Sequence, residues 1–133
     1  MARSSLKNKS EMLEESAQLL HQKTLYPGVA HAAYYSCFQL MMDICIFKIY
    51  KNEQEFNSGV SLSVLGSHEF VLNEIVKYIE VKDKSESRVL RCKIPQLKTL
   101  RVKADYKNED FKYDDSRSSL TLSEEILQIL KKY

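Results

Sequence analysis

The sequence has 133 residues, 44% of them apolar and 29% charged, with 20 Lys and Arg against 18 Asp and Glu. That is one domain's length at ordinary globular composition, which argues against wholesale disorder. Only 3 Gly and 2 Pro are present, too few turn-formers for a sandwich or barrel and no basis for a glycine-rich phosphate loop.

The opening MARSSLKNKS lacks the apolar core of a secretory leader. No apolar run approaches the ~18 residues of a membrane span. The first helix is expected over residues 5–21, where Leu6, Leu13, Ala17 and Leu20 follow at steps of seven, four and three. Residues 22–26 read as a short connection, and Pro27 suits a first helical turn.

Residues 27–50 carry two adjacent apolar stripes. One is Val29, Ala33, Ser36, Leu40 and Phe47; the other is Ala30, Tyr34, Cys37, Met41, Ile44 and Cys45. The polar remainder, His31, Gln39 and Asp43, forms one narrow strip. Such a helix, apolar around most of its circumference and about 35 Å long, is central and covered on several sides. The adjacent Tyr34 and Tyr35 point about 100° apart, so one ring enters the core while the other faces a groove or a partner. Residues 51–66 are polar and read as a loop, with Phe56 and residues 60–65 touching the core. Ser67 is a plausible N-cap for a helix to about Val81, with Val71, Ile75, Tyr78 and Ile79 inward. Residues 83–87 break the pattern. Leu90, Ile94, Leu97, Arg101 and Ala104 then mark a helix to Tyr106 that either starts near Pro95 or, the favoured reading, is one longer helix kinked there. Residues 107–120 read as an acidic loop. Thr121-x-x-Glu124 resembles a capping box before a short last helix bearing Leu122, Ile126, Ile129 and Tyr133. The expected fold is all-α, a single up-and-down bundle of about five helices spanning 1–133.

Chemistry is sparse. Cys37, Cys45 and Cys92 include no C-x-x-C pair, so neither a disulfide framework nor a zinc knuckle is expected, and the setting is reducing and cytoplasmic. His68-Glu69 begins like H-E-x-x-H, but position 72 is Leu. His21 and His31 have no ligand partner at i+4, and Asp110, Asp114 and Asp115 lack the pattern of a calcium loop. No metal and no cofactor are expected. Charge is uneven: residues 82–103 hold eight bases and two acids, residues 104–125 seven acids and three bases. A basic segment of this kind suits a polyanion, or else is a solvated helix face beside an acidic loop.

The sharpest constellation is Arg101-Val-Lys-Ala-Asp105-Tyr106. Arg101 and Asp105 are i, i+4 and can pair along one face. Arg101 also falls on the apolar stripe, where an arginine is costly unless paired or placed at an interface.

Two segments together resemble the HEPN superfamily, small helical domains of prokaryotic toxin–antitoxin and defence systems. Leu25-Tyr26-Pro-Gly-Val-Ala-His-Ala-Ala-Tyr34-Tyr35-Ser-Cys-Phe38 is similar to the family's second helix. Leu97-x-x-Leu100-Arg101-x-x-Ala104-Asp105-Tyr106 is similar to the Arg-x-x-Ala-Asp-Tyr ending of the fourth helix in a bacterial branch. Between them, Ser67-His68-Glu-Phe70 resembles the His-bearing start of the third. The resemblance implies a homodimer with the fourth helices near its two-fold axis. Many members are metal-independent ribonucleases with an Arg followed four to six residues later by His. Here Asp105 and Tyr106 occupy that window, so the group that titrates near neutrality is missing from it. Other members bind RNA, nucleotides or a nucleotidyltransferase partner.

Three functions are therefore expected, in this order. The first is a HEPN-like dimeric binding or regulatory module for RNA, a nucleotide or a nucleotidyltransferase-type partner protein. Arg101, Asp105 and Tyr106 would line its groove, with Lys98, Lys103, Tyr35 and His68 as binding residues. The second is an endoribonuclease toxin using Arg101 with Asp105 or Tyr106, or with His68 brought in from another helix. The third is a purely structural partner domain.

Overall fold

The computed structural model describes residues 4–133; the first three residues of the opening segment lie outside it. Six α-helices follow in order: α1 (Ser5–Gln22), α2 (Tyr26–Ile44), α3 (Glu53–Leu62), α4 (Ser67–Glu80), α5 (Lys84–Tyr106) and α6 (Tyr113–Leu130). A π-helical turn, Cys45–Ile49, prolongs α2. No strand occurs among the described residues, and no helix there is long and apolar enough to cross a membrane. The all-α bundle read from periodicity is present, with one helix more than expected.

Helix α2 is the spine. Val29, Ala30, Ala33 and Cys45 are fully buried, and α1, α4, α5 and α6 all pack on it. Its start is set by the turn after α1. There Leu25 N–H reaches the Leu20 carbonyl at 2.9 Å and Thr24 N–H the His21 carbonyl at 3.1 Å. This is a Schellman closure with a threonine, at φ 62°, in the left-handed position usually given to glycine. Pro27 then occupies the first turn as expected. Tyr34 is buried and Tyr35 is half-buried, so the twin tyrosines divide between core and groove. Phe47 departs from its stripe: it is 55% exposed. The π-turn bonds i to i+5, as in Tyr50 N–H to the Cys45 carbonyl at 2.8 Å. The extra residue in that turn rotates Phe47 off the buried face.

Several boundaries differ from the sequence reading. Residues 51–66 are not a plain loop: α3 lies within them, capped by Asn52, whose side chain accepts from Glu55 N–H at 2.8 Å. Phe56 is buried there against Tyr50 and Phe70, but Leu62 and Val64 are exposed. Gly66, not Ser67, is the N-cap of α4. Residues 83–87 do not break the chain. Asp83 caps α5, accepting from Glu86 N–H at 3.0 Å, so the helix starts at Lys84 and runs through Pro95 to Tyr106. Helix α6 begins at Tyr113 rather than near Thr121, because Asp115 accepts from Lys112 N–H at 3.1 Å and fastens the first turn. Thr121 and Glu124 lie inside that helix and cap nothing.

The uneven charge is partly neutralised within the fold. Basic residues of α5 meet acids of α6: Lys93 pairs with Glu125, and Lys103 with Asp115 at 3.2 Å. Glu86 near the start of α5 pairs with Lys132.

Candidate functional site

Arg101 closes the apolar stripe of α5 and is 7% exposed. Its guanidinium carbon lies 5.2 Å from the Tyr34 ring centre, 5.5 Å from Tyr35 and 5.7 Å from Tyr106. Three aromatic faces thus take the place of a carboxylate in holding the buried cation. The one acid near it, Asp105, is 3.8 Å away from Nη1, which is an ion pair without a hydrogen bond. Arg101 Nε is buried with no partner at all. A buried guanidinium with an unmade N–H keeps part of its charge unspent.

Asp105 is held more closely from another helix. Its Oδ2 lies 2.8 Å from Nδ1 of His31, near the start of α2. His31 also packs on Tyr35, ring centres 4.8 Å apart. A histidine of α2, four residues before Tyr35 on the polar strip, thus stands against the carboxylate at the end of α5. Asp105 is 74 positions from His31, so no local spacing reveals the pair; the place of His31 one turn before Tyr34 and Tyr35 is the signal the sequence holds.

On the other flank, His68 of α4 lies with Nδ1 2.6 Å from the Tyr34 hydroxyl and stacks on Phe38 at 4.2 Å between ring centres. Burial, helped by the nearby Tyr35 and Cys37 and opposed by Arg101, raises the Tyr34 phenol well above its ordinary value. The phenol stays protonated and shares one hydrogen bond with Nδ1, in which the imidazole tautomer sets the donor. Burial, Lys98 and Arg101 all push the His68 pKa below 6.5. Tyr34, His68, Glu69, Pro95 and Lys98 line a small pocket of about 100 Å³.

Arg101, Asp105, Tyr106, Tyr35, His68 and Lys98 thus gather round one corner of the bundle, where α2, α4 and α5 meet. Lys103 does not join them. It points toward α6, paired with Asp115 and 6.0 Å from the Phe111 ring, because two helical steps carry it about 200° around α5 from Arg101. Tyr106 is 73% exposed, with its ring still in reach of the guanidinium. No group of three or more His, Cys, Asp or Glu able to hold a metal lies among the described residues. The chemistry on hand is a buried guanidinium, the Lys98 ammonium, two imidazoles, the carboxylates of Asp105 and Glu69, and exposed aromatic surface.

The depressed His68 pKa has a testable sign. The unfolded chain takes up this proton near 6.5 and the folded chain only at lower pH, so His68 lowers stability as pH falls below about 6.5. Replacing it with Gln should reduce the stability lost between pH 7.5 and 5, measured by urea unfolding of both proteins at each pH. An unchanged loss would show that His68 titrates as it does in the unfolded chain.

The chain matches no family model, no curated protein and no solved structure.

Proposed function

We propose that the chain is a HEPN-like homodimeric module that binds single-stranded RNA at the Arg101 corner. The observation that carries this reading is the buried Arg101 guanidinium, with an unpartnered Nε and three aromatic faces instead of a bonded carboxylate. A phosphate oxygen is the acceptor such a group lacks, and the exposed Tyr106 ring offers a stacking surface for a base.

A second feature supports it. Lys84, Arg88, Arg91 and Lys98 fall within about 80° of one another around α5. None of the four takes part in an ion pair or hydrogen bond among the described residues. They form a basic stripe about 20 Å long that ends beside His68. The acids of α6 neutralise the other flank of α5 and leave this one open. The homodimer belongs to the resemblance with the HEPN superfamily and places two such corners together. A nucleotidyltransferase-type partner would cover the same face and compete with RNA.

Titrating a short labelled single-stranded RNA against the protein tests the reading by fluorescence anisotropy, with sedimentation giving the oligomeric state. Five cations in contact give a log–log salt slope of roughly −3 to −4, and Arg88→Ala with Arg91→Ala should flatten it by roughly 1.4. Absence of binding at low salt would end the proposal.

One observation favours a second reading, a metal-independent endoribonuclease. His31 on Asp105 restores a titratable group next to Arg101, the pairing needed to move a 2′-hydroxyl proton while a cation stabilises the phosphorane. If that chemistry operates, purified protein cleaves RNA in the presence of chelator, and His31→Gln lowers the rate by about 10²-fold or more while leaving RNA binding intact. Binding without cleavage returns the assignment to the binding module.

A further inference from the structure

Toward the other end of α2, far from Arg101, a carboxylate is buried without a partner. Asp43 is 3% exposed, and its Oδ1 makes no hydrogen bond. It lines a pocket of about 290 Å³ between α1, the end of α2 and the end of α6. The volume is at the small end for ligand pockets. Leaving an acceptor of this kind bare is costly, and more so if it is ionised.

Three of the donors around this pocket, Ser10, Lys131 and Tyr133, are already committed. The Ser10 hydroxyl donates to the Ser36 carbonyl at 2.6 Å. Lys131 is paired with Glu14 at 3.2 Å, and the Tyr133 hydroxyl donates to Glu86. Leu40, Ile44 and Leu130 supply apolar wall. At the rim stand Lys7 and Lys48, both exposed and neither in an ion pair or hydrogen bond among the described residues, together with Glu11. The pocket therefore combines a buried carboxyl oxygen without a partner, an aliphatic surface, and two lysines with Glu11 at the mouth.

Each part narrows the ligand. A metal ion is disfavoured, since Asp43 belongs to no cluster of ligating side chains. A polyamine would satisfy Asp43 but meet Lys7 and Lys48 with like charge. A simple anion would satisfy the lysines and leave Asp43 bare. We propose that this pocket binds a free α-amino acid with an aliphatic side chain. Its ammonium would pair with Asp43, its carboxylate with Lys7 and Lys48, and its side chain would lie against Leu40, Ile44 and Leu130. The site is independent of the RNA reading and stands whether or not Arg101 binds RNA.

Two-dimensional 1H–15N NMR of the full chain titrated with L-leucine tests it. The expected result is saturable shifts at the amides around Asp43 and Leu130. Leucinamide, which lacks the carboxylate, and N-acetyl-L-leucine, which lacks the ammonium, should each bind at least about tenfold more weakly. Asp43→Asn should abolish the shifts, with circular dichroism confirming the fold. Lys7→Ala with Lys48→Ala removes only exposed side chains, and should weaken leucine by about tenfold even if the Asp43 variant fails to fold. Arg101→Ala should leave leucine binding unchanged. No saturable shift with leucine, equal binding of leucinamide, or leucine binding that survives both the Asp43 variant and the lysine pair would each overturn the assignment.

Discussion

Arg101→Ala is expected to lower affinity for single-stranded RNA at about 50 mM salt by ten- to a hundredfold, the worth of one or two charge-assisted hydrogen bonds to phosphate. Arg101→Lys should recover only part of the loss. An ammonium restores the charge but lacks the planar fork and stacks less well between Tyr34, Tyr35 and Tyr106. Stability should move in a different sense. The buried cation has lost its hydration, has an unmade N–H and sits 3.8 Å from its nearest acid; three ring contacts at roughly 0.5–2 kcal/mol each offset that cost. Arg101→Met, which keeps the volume, should therefore unfold within about 1 kcal/mol of the unaltered protein. Loss of binding at unchanged stability marks a group kept for a ligand. A drop of several kcal/mol in urea unfolding with RNA affinity intact would make Arg101 a structural residue.

How much of this was legible in the sequence depends on what kind of residue carried each signal. The spine was plain because α2 is apolar on most sides, and Arg101 was conspicuous because it broke an apolar stripe. Helix α6 was half hidden for the opposite reason. Its buried face is Ser116, Ser119, Leu120, Ser123, Ile126, Leu127 and Leu130, a regular helical stripe whose first half is serine. Those hydroxyls can be buried because they are satisfied. Ser119 and Ser123 donate to the Asp115 and Leu120 carbonyls, and Ser116 lies 2.7 Å from His21 Nδ1. A pattern search that counts serine as polar reads a loop there.

Helix α3 was missed because it is short, contains Gly59 and has one buried residue. The glycine is useful at that point: a Cβ would stand 3.2 Å from both Phe70 and Tyr50, so its absence lets the helix close on the aromatic cluster. The pairing of His31 with Asp105, and the bare Oδ1 of Asp43, arise from tertiary placement and have no local signature. His31 and Asp43 both belong to the polar strip they form with Gln39, but periodicity alone does not tell a solvated strip from a buried polar group.

Leu97→Ala should produce the complementary result to the arginine variants. Leu97 is fully buried in the core cluster, one helical turn before Arg101. Truncation removes the apolar transfer energy of three carbons and leaves a cavity in the close-packed core, costing about 2–5 kcal/mol. The urea midpoint should fall with little change in slope, since the surface exposed on unfolding is nearly the same. RNA affinity per folded molecule, measured where the variant is still fully folded, should change by less than about threefold, because the guanidinium is framed by Tyr34, Tyr35 and Tyr106 rather than by Leu97. If binding falls in step with stability in this variant as well, then the Arg101 corner is not pre-organised on α5, and RNA must order it on arrival. That outcome would predict a binding heat capacity more negative than the contact surface alone supplies.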